Sequence, residues 1–257
     1  MAGLLIYSTV HAGIGQIDWE FVSQPLKDSG RAGGIAPMIV STTLIIGVCL
    51  LATLPLGLGS AIYLTEFSSS HPKLSRAIRF SLDVLAGVPS IVFGLFGNAF
   101  FCLTLGMGYS ILSGGLTLAC MVLPIFIRIA ESALRQVTDD YRNAAASLGL
   151  SKWTSTTRII LPSAIPGLMA AFMLALGRAL AETAALIFTS GYVTRYPESL
   201  FDSGRSLSVH IYDLALNVTG GNERAFATAA VLVGLLLMIN ALTHFLMKFL
   251  TRGAGEG

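Results

Sequence analysis

The sequence predicts an all-α, polytopic membrane protein, and three observations lead there. Of its 257 residues, 54% are apolar and only 12% charged, with a mean hydropathy of +0.74. A soluble domain needs more charge than this to cover its surface. The apolar residues also gather into stretches near the roughly 20 residues that carry a helix across a bilayer, and the charges collect between those stretches.

Taken in order, residues 1–15 form an apolar piece too short to span. No Lys or Arg precedes its apolar core, which argues against a signal peptide; it reads as the outer end of a first helix whose beginning is clipped. Complete spans are expected at about 38–64, 80–107, 111–130, 167–189 and 226–250. The whole chain, 1–257, then reads as one transmembrane domain with a polar loop at 139–162.

Loop charges orient the spans. One side carries Lys73, Arg76, Arg79, Arg135, Arg142, Lys152, Arg158, Lys248 and Arg252. The other carries Lys27, Arg31, Arg195, Arg205 and Arg224, mixed with acids such as Asp28, Asp202 and Asp213. The positive-inside rule places the first set, and both termini, in the cytoplasm.

Gly and Pro recur inside the apolar stretches. Close helix packing accounts for most of them, but Gly87-Val88-Pro89-Ser90 is the best candidate for a helix break lining a pathway. Cys49, Cys102 and Cys120 lie in apolar runs without metal-ligand spacing and read as small core residues. His11, His71, His210 and His244 show no i,i+4 pairing, so no metal site is expected. No Gly-x-Ser-x-Gly, His-Glu-x-x-His or phosphate-binding P-loop is present, so neither catalysis nor ATP hydrolysis is expected of this chain.

The polar island at 143–162 interrupts the apolar pattern. Asp139-Asp140 can cap a helix whose Ala-rich body runs from Tyr141 to Leu148. Gly149 suits the left-handed position that stops it. Ser151 then caps a second short helix with Lys152, Trp153 and Arg158, and Pro162 and Pro166 mark re-entry into the membrane. Exposed Ala144, Ala145 and Ala146 would let another protein approach closely; the plainer alternative is an ordinary interfacial loop.

The spacing of Ala144-Ala145, Gly149, Ile159, Leu161 and Pro162 resembles the signature loop of ABC-importer permeases, Glu-Ala-Ala-x3-Gly-x9-Ile-x-Leu-Pro. The resemblance implies a six-helix, MetI-like permease fold and a coupling helix that docks on a cytoplasmic ATPase. Asn143 stands where the family carries Glu, which removes a charge from that contact. Gly87-Val88-Pro89-Ser90-Ile91-Val92-Phe93-Gly94-Leu95-Phe96-Gly97 resembles a motif of phosphate-importer permeases. Gly177-Arg178-Ala179-Leu180-Ala181-Glu182-Thr183 and its continuation to Thr189 resemble the fifth helix of their PstA-type subunit, and Leu207-Ser208-Val209-His210-Ile211-Tyr212 its outer loop.

By that resemblance the chain is a non-catalytic subunit of a phosphate importer in the bacterial cytoplasmic (inner) membrane. Its implied partners are a PstC-type permease, an ATPase dimer and a periplasmic or extracellular phosphate-binding protein. ATP and Mg would sit on the ATPase, with no cofactor and no nucleic acid on this chain. A permease for molybdate, sulfate or phosphonate, or a secondary anion transporter, is the alternative.

Buried charges point to the pathway. A charge at the centre of a bilayer costs about 2.5–3.5 kcal/mol on insertion scales. Arg178 with Glu182 one turn on, and Arg128 with Glu131 three residues on, are therefore candidates. A guanidinium suits a tetrahedral oxyanion, and Glu182 is expected to restrain Arg178. A self-neutralising ion pair for Arg178–Glu182, and snorkelling of Arg128 to the interface, are the plainer alternatives.

Overall fold

The computed structural model describes residues 7, 11–68 and 71–253, without the side chains of 29 and 246–253. The expected partial span at 1–15 lies largely outside the described residues. The chain divides into two compact units. The first comprises Met1–Leu50, Pro89–Ala119 and Arg178–Ile239; the second comprises Leu51–Val88, Cys120–Gly177 and Asn240–Gly257.

Three helices are each long and apolar enough to cross a bilayer: α2 (Ala36–Ile62, prolonged by a π-helical turn at Tyr63–Phe67), α5 (Ile111–Arg135) and α12 (Asn222–Gly253). Two expected spans are broken. The stretch 80–107 resolves into α3 (Pro72–Ala86) and α4 (Ser90–Gly97, prolonged by a π-turn at Asn98–Thr104). Pro89 supplies no N–H to continue α3 and holds an extended ψ of 140°. Counting Pro72–Ala86 with Ser90–Thr104 as one span, and Lys152–Ser163 with Ile165–Leu180 as another, brings the total to five among the described residues.

The stretch 167–189 is likewise split, into α9 (Ile165–Leu180) and α10 (Ala184–Ile187). At the break, Glu182 N–H reaches back to Ala179 O (3.3 Å), and the Glu182 carbonyl accepts from Ser208 Oγ (2.6 Å). Irregular backbone in an apolar setting needs such internal partners. Ser208 lies on α11 (Leu207–Leu216) in the same unit.

The first unit is built on α1 (Trp19–Ser23), a two-residue ribbon of β1 (Leu26–Lys27) and β2 (Ala32–Gly33), and the N-terminal part of α2. Phe21, Ile35, Met38, Leu207 and Ala227 form its buried cluster. Thr42 Oγ1 on α2 accepts from Leu207 N (2.9 Å), which caps the start of α11 against that core. The ribbon is the only β-structure among the described residues. Close approach in this unit depends on glycines of α4. A Cβ on Gly94 would lie 2.9 Å from Ala185 Cα of α10, and one on Gly97 would overlap the Thr117 side chain of α5.

In the second unit Leu64, Leu82 and Ile127 are buried together, with Ile78 and Leu123 packed on them. This joins the end of α2, α3 and the C-terminal half of α5. The polar loop follows as α6 (Asp139–Ser147), α7 (Lys152–Ser155) with a π-turn at Thr156–Ile160, and α8 (Leu161–Ser163). A 70° bend separates this segment from α9.

Gly97→Ala is expected to destabilise the protein by about 1–3 kcal/mol through overpacking on Thr117. Gly47→Ala, where an added methyl meets nothing within 4 Å, is expected to be neutral or slightly stabilising. Thermal unfolding of the two variants in detergent measures the difference.

Candidate functional site

The island is the first candidate. Gly149 has φ +70° and no neighbour within 4 Å of a built Cβ, as the left-handed stop requires. Leu150 N donates to Ala145 O (3.0 Å) and Gly149 N to Ala146 O (2.9 Å), the paired bonds of a Schellman end. Ser151 Oγ accepts from Thr154 N (3.2 Å) and caps α7, as its sequence suggests. Two expectations need correction. The N-cap of α6 is Thr138, without a side-chain bond, and Asp139 and Asp140 sit in the first turn, where the helix dipole favours acids. Ala145 is buried, while Asn143, Ala144 and Ala146 are exposed, so the face of small residues is narrower than expected. Leu148 and Trp153 add exposed apolar surface beside it.

Arg142 holds α6 in place. Its guanidinium pairs with Glu66 at the end of α2 (2.8 Å) and donates to the carbonyls of Val137 (2.7 Å) and Leu134 (3.0 Å). The hydrogen bond to Glu66, against some desolvation, raises the Arg142 pKa above its ordinary value, and the charge is fixed. Ile160 is buried; Ile159 and Leu161 are partly exposed, and Pro162 is exposed at the head of α8.

The second candidate is an ionic cluster between α3 and α5. The Glu131 carboxylate, 3% exposed, accepts from Arg79 Nε (2.7 Å), Arg135 Nη2 (2.8 Å) and Arg128 Nη1 (3.3 Å). Arg128 also pairs with Asp83 through Nε (2.8 Å). Arg79 completes its set on the Leu64 carbonyl (2.8 Å). A recess of about 510 Å³ opens on Arg79, Arg128, Glu131 and Arg135. The expected Arg128–Glu131 pair therefore exists, but as one edge of a five-residue network. Sequence reasoning missed Arg79, Asp83 and Arg135 as members. The i,i+4 spacing of Glu131 and Arg135 is visible in the chain; the partners on α3 are not.

The third candidate changes most. Arg178 and Glu182 do not pair. Because α9 stops at Leu180, the four-residue register that would have stacked them is lost. Glu182 turns inward, 7% exposed, and its carboxylate accepts from Ala185 N (3.3 Å) at the start of α10. Arg178 is exposed in the last turn of α9, with no hydrogen bond or ion pair among the described residues. A cation is favoured there by the helix dipole. The α4 and α10 segments that follow the two breaks pack on each other through Gly94 and Ala185.

On α11, His210 is 1% exposed and its Nδ1 has no hydrogen-bond partner among the described residues. Burial, helped by Arg205 and Arg224 against Asp213, pushes its pKa down to about 4. It stays neutral in the folded protein. No group of three or more potential metal ligands occurs among the described residues.

Comparisons with known proteins bear on all of this. Residues 53–255 match the family described as binding-protein-dependent transport system inner membrane component. A probable ABC transporter permease protein, YqgI, of Bacillus subtilis (strain 168) is 31% identical over 261 residues, covering 96% of this chain and 88% of the relative. The phosphate transport system permease protein PstA 1 of Mycobacterium tuberculosis (strain CDC 1551 / Oshkosh) is 34% identical over 223 residues, covering 86% and 73%. A Pasteurella multocida (strain Pm70) phosphate transport system permease protein PstA is 30% identical, covering 92% and 84%. Among solved structures, a chain of the MetNI methionine ABC transporter in an inward facing conformation superposes with a TM-score of 0.66 at 15% identity. That match covers 83% of this chain and 96% of that one, a likeness of fold.

Arg142→Ala is expected to leave two carbonyls and Glu66 without their donor and to cost about 2–4 kcal/mol; accelerated limited proteolysis within 139–162 is the readout. For His210 the sign follows from its lowered folded-state pKa. Between about pH 6.5 and about 4 the unfolded chain binds the proton that the fold refuses, so stability falls as pH falls through that window. The loss reaches about 3 kcal/mol, and His210→Gln is expected to flatten the pH dependence of the unfolding midpoint.

Proposed function

The chain belongs to the family of binding-protein-dependent transport system inner membrane components, and from that premise we propose that it is the PstA-type permease subunit of an ATP-driven phosphate importer. As a member it is a multi-pass ABC transporter permease, a membrane subunit of a transporter and not itself a catalyst. Its partners in this reading are a PstC-type permease, two cytoplasmic ATPase subunits that bind ATP and Mg, and an external phosphate-binding protein, in the bacterial cytoplasmic membrane.

The observation that carries the reading is the island. It is a helix, a left-handed Gly149 turn and a second helix, anchored by Arg142 on Glu66 and exposing Ala144, Ala146, Leu148 and Trp153. Such a rigid knob suits docking in a groove of the ATPase, and closure of the ATPase dimer pushes on it. Its anchor on the end of α2 passes the push to a membrane-spanning helix. Asn143, exposed where the family carries Glu, docks through hydrogen bonds and not through charge.

Phosphate as the solute is supported by the relatives named for phosphate transport. The pathway contact assigned in this reading is Arg178. It is a guanidinium without a carboxylate partner among the described residues, in the last turn before the break of the 167–189 stretch; the stretch 80–107 is broken in the same way at Gly87–Pro89. Interrupted apolar segments of this kind mark solute sites in other transporters. Arg128 has both its donor edges committed to Asp83 and Glu131, so its role in this reading is to line the recess and not to grip the anion. Glu182 does not restrain Arg178; it caps α10.

Arg178→Gln is expected to lower phosphate uptake by at least about tenfold, the equivalent of one charge-assisted hydrogen bond, while co-purification with the ATPase is unchanged. Normal uptake by this variant overturns the pathway assignment. Uptake of molybdate or sulfate in place of phosphate by the unaltered transporter reassigns the solute.

A further inference from the structure

We propose that the second unit holds a site for a phosphate-bearing anion, separate from Arg178, in the cleft between the start of α3 and the island. The cleft has a volume of about 640 Å³, and its lining includes Arg76, Arg79, Arg135, Arg142 and Lys152 with Glu66 and Asp139. The charges do not cancel. Arg142 is met by Glu66 and Asp139, and Arg79 and Arg135 share the buried Glu131. Arg76 on α3 and Lys152 on α7 are exposed and have no hydrogen bond or ion pair among the described residues. These two cations face one cleft from two different elements.

Two further features favour an anion there. The first turn of α3, with Pro72, Ser75 and Arg76, borders the cleft, and a 15-residue helix presents its positive end at that point. The bias of basic residues in the loops puts this side in the cytoplasm, where the inner leaflet supplies anionic headgroups and basic pockets beside membrane helices collect them. Arg supplies a planar fork and Lys a point charge, a combination suited to the oxygens of a phosphate group. The bound group is either the phosphate of an anionic phospholipid or free inorganic phosphate. In both cases it ties α3 to the island and steadies the docking surface. This inference does not depend on which solute the transporter carries.

The test compares the full transporter carrying the native chain, Arg76→Gln/Lys152→Gln, and the charge-preserving Arg76→Lys/Lys152→Arg. In one arm, nanodiscs contain phosphatidylglycerol in phosphatidylcholine, and retained lipid is counted by native mass spectrometry. In the other, nanodiscs contain phosphatidylcholine alone, and inorganic phosphate is titrated against thermal stability. The native chain is expected to retain phosphatidylglycerol or respond to phosphate, and the arm that responds names the source. The expected weakening is roughly fivefold for each charge removed, about thirtyfold for both, with binding kept by the charge-preserving variant. Equal binding by the native and doubly neutralised transporters in both arms, or no binding by either, overturns the proposal.

Discussion

A bilayer interior offers no water to a carbonyl freed at a helix end, so each such group needs a partner from within the protein. The same solution recurs along this chain: a side chain from another element reaches the exposed carbonyl. Arg79 covers Leu64 where α2 ends, Arg142 covers Leu134 and Val137 where α5 ends, Ser208 covers Glu182 in the α9–α10 break, and Asn98 covers Phe188 after α10. Each contact serves packing and positioning at once. The helix ends that would otherwise fray become the fixed points from which the island and the broken spans are hung.

In the second unit these fixed points are ionic. Glu131 is buried among three guanidinium groups, and removing one member of such a set typically costs about 3–5 kcal/mol because a charge is left unpaired. The network joins α3 to α5, and the neighbouring Arg142–Glu66 pair joins α6 to α2. A force applied to the island therefore meets a stiff connection to the spanning helices. In the proposed reading, that stiffness carries the push of the ATPase from the island to the spanning helices. In the first unit hydroxyls and amides share this task with a largely buried Arg205–Asp213 pair (2.7 Å) and with Arg224 on the Gly33 carbonyl, and glycines of α4 allow α5 and α10 to come close.

The family to which the chain belongs was readable in the island because its spacing is local: three alanines, a glycine three residues on, and a proline beyond it form a turn whatever surrounds them. Gly149 and Ser151 take the roles their residue types dictate. That Arg178 and Glu182 do not pair was not readable, since the expected pair assumed an unbroken helix. The backbone leaves the helical path after Leu180, and Ser208, 26 residues later, takes up the Glu182 carbonyl. Arg79, likewise, meets Glu131 across 52 residues. No local pattern announces a partner at that distance.

The sequence by itself determined the solvent, the apolar stretches, the turn chemistry of the island and the family, because each follows from composition or from spacing within a few turns of chain. Only the tertiary structure decided which charges are neutralised. An ion pair in a low-dielectric setting forms where two elements bring opposite charges within about 3–4 Å, and that proximity is a property of packing. It left Arg128 engaged, Glu182 turned into a cap, and Arg178, Arg76 and Lys152 without a partner among the described residues.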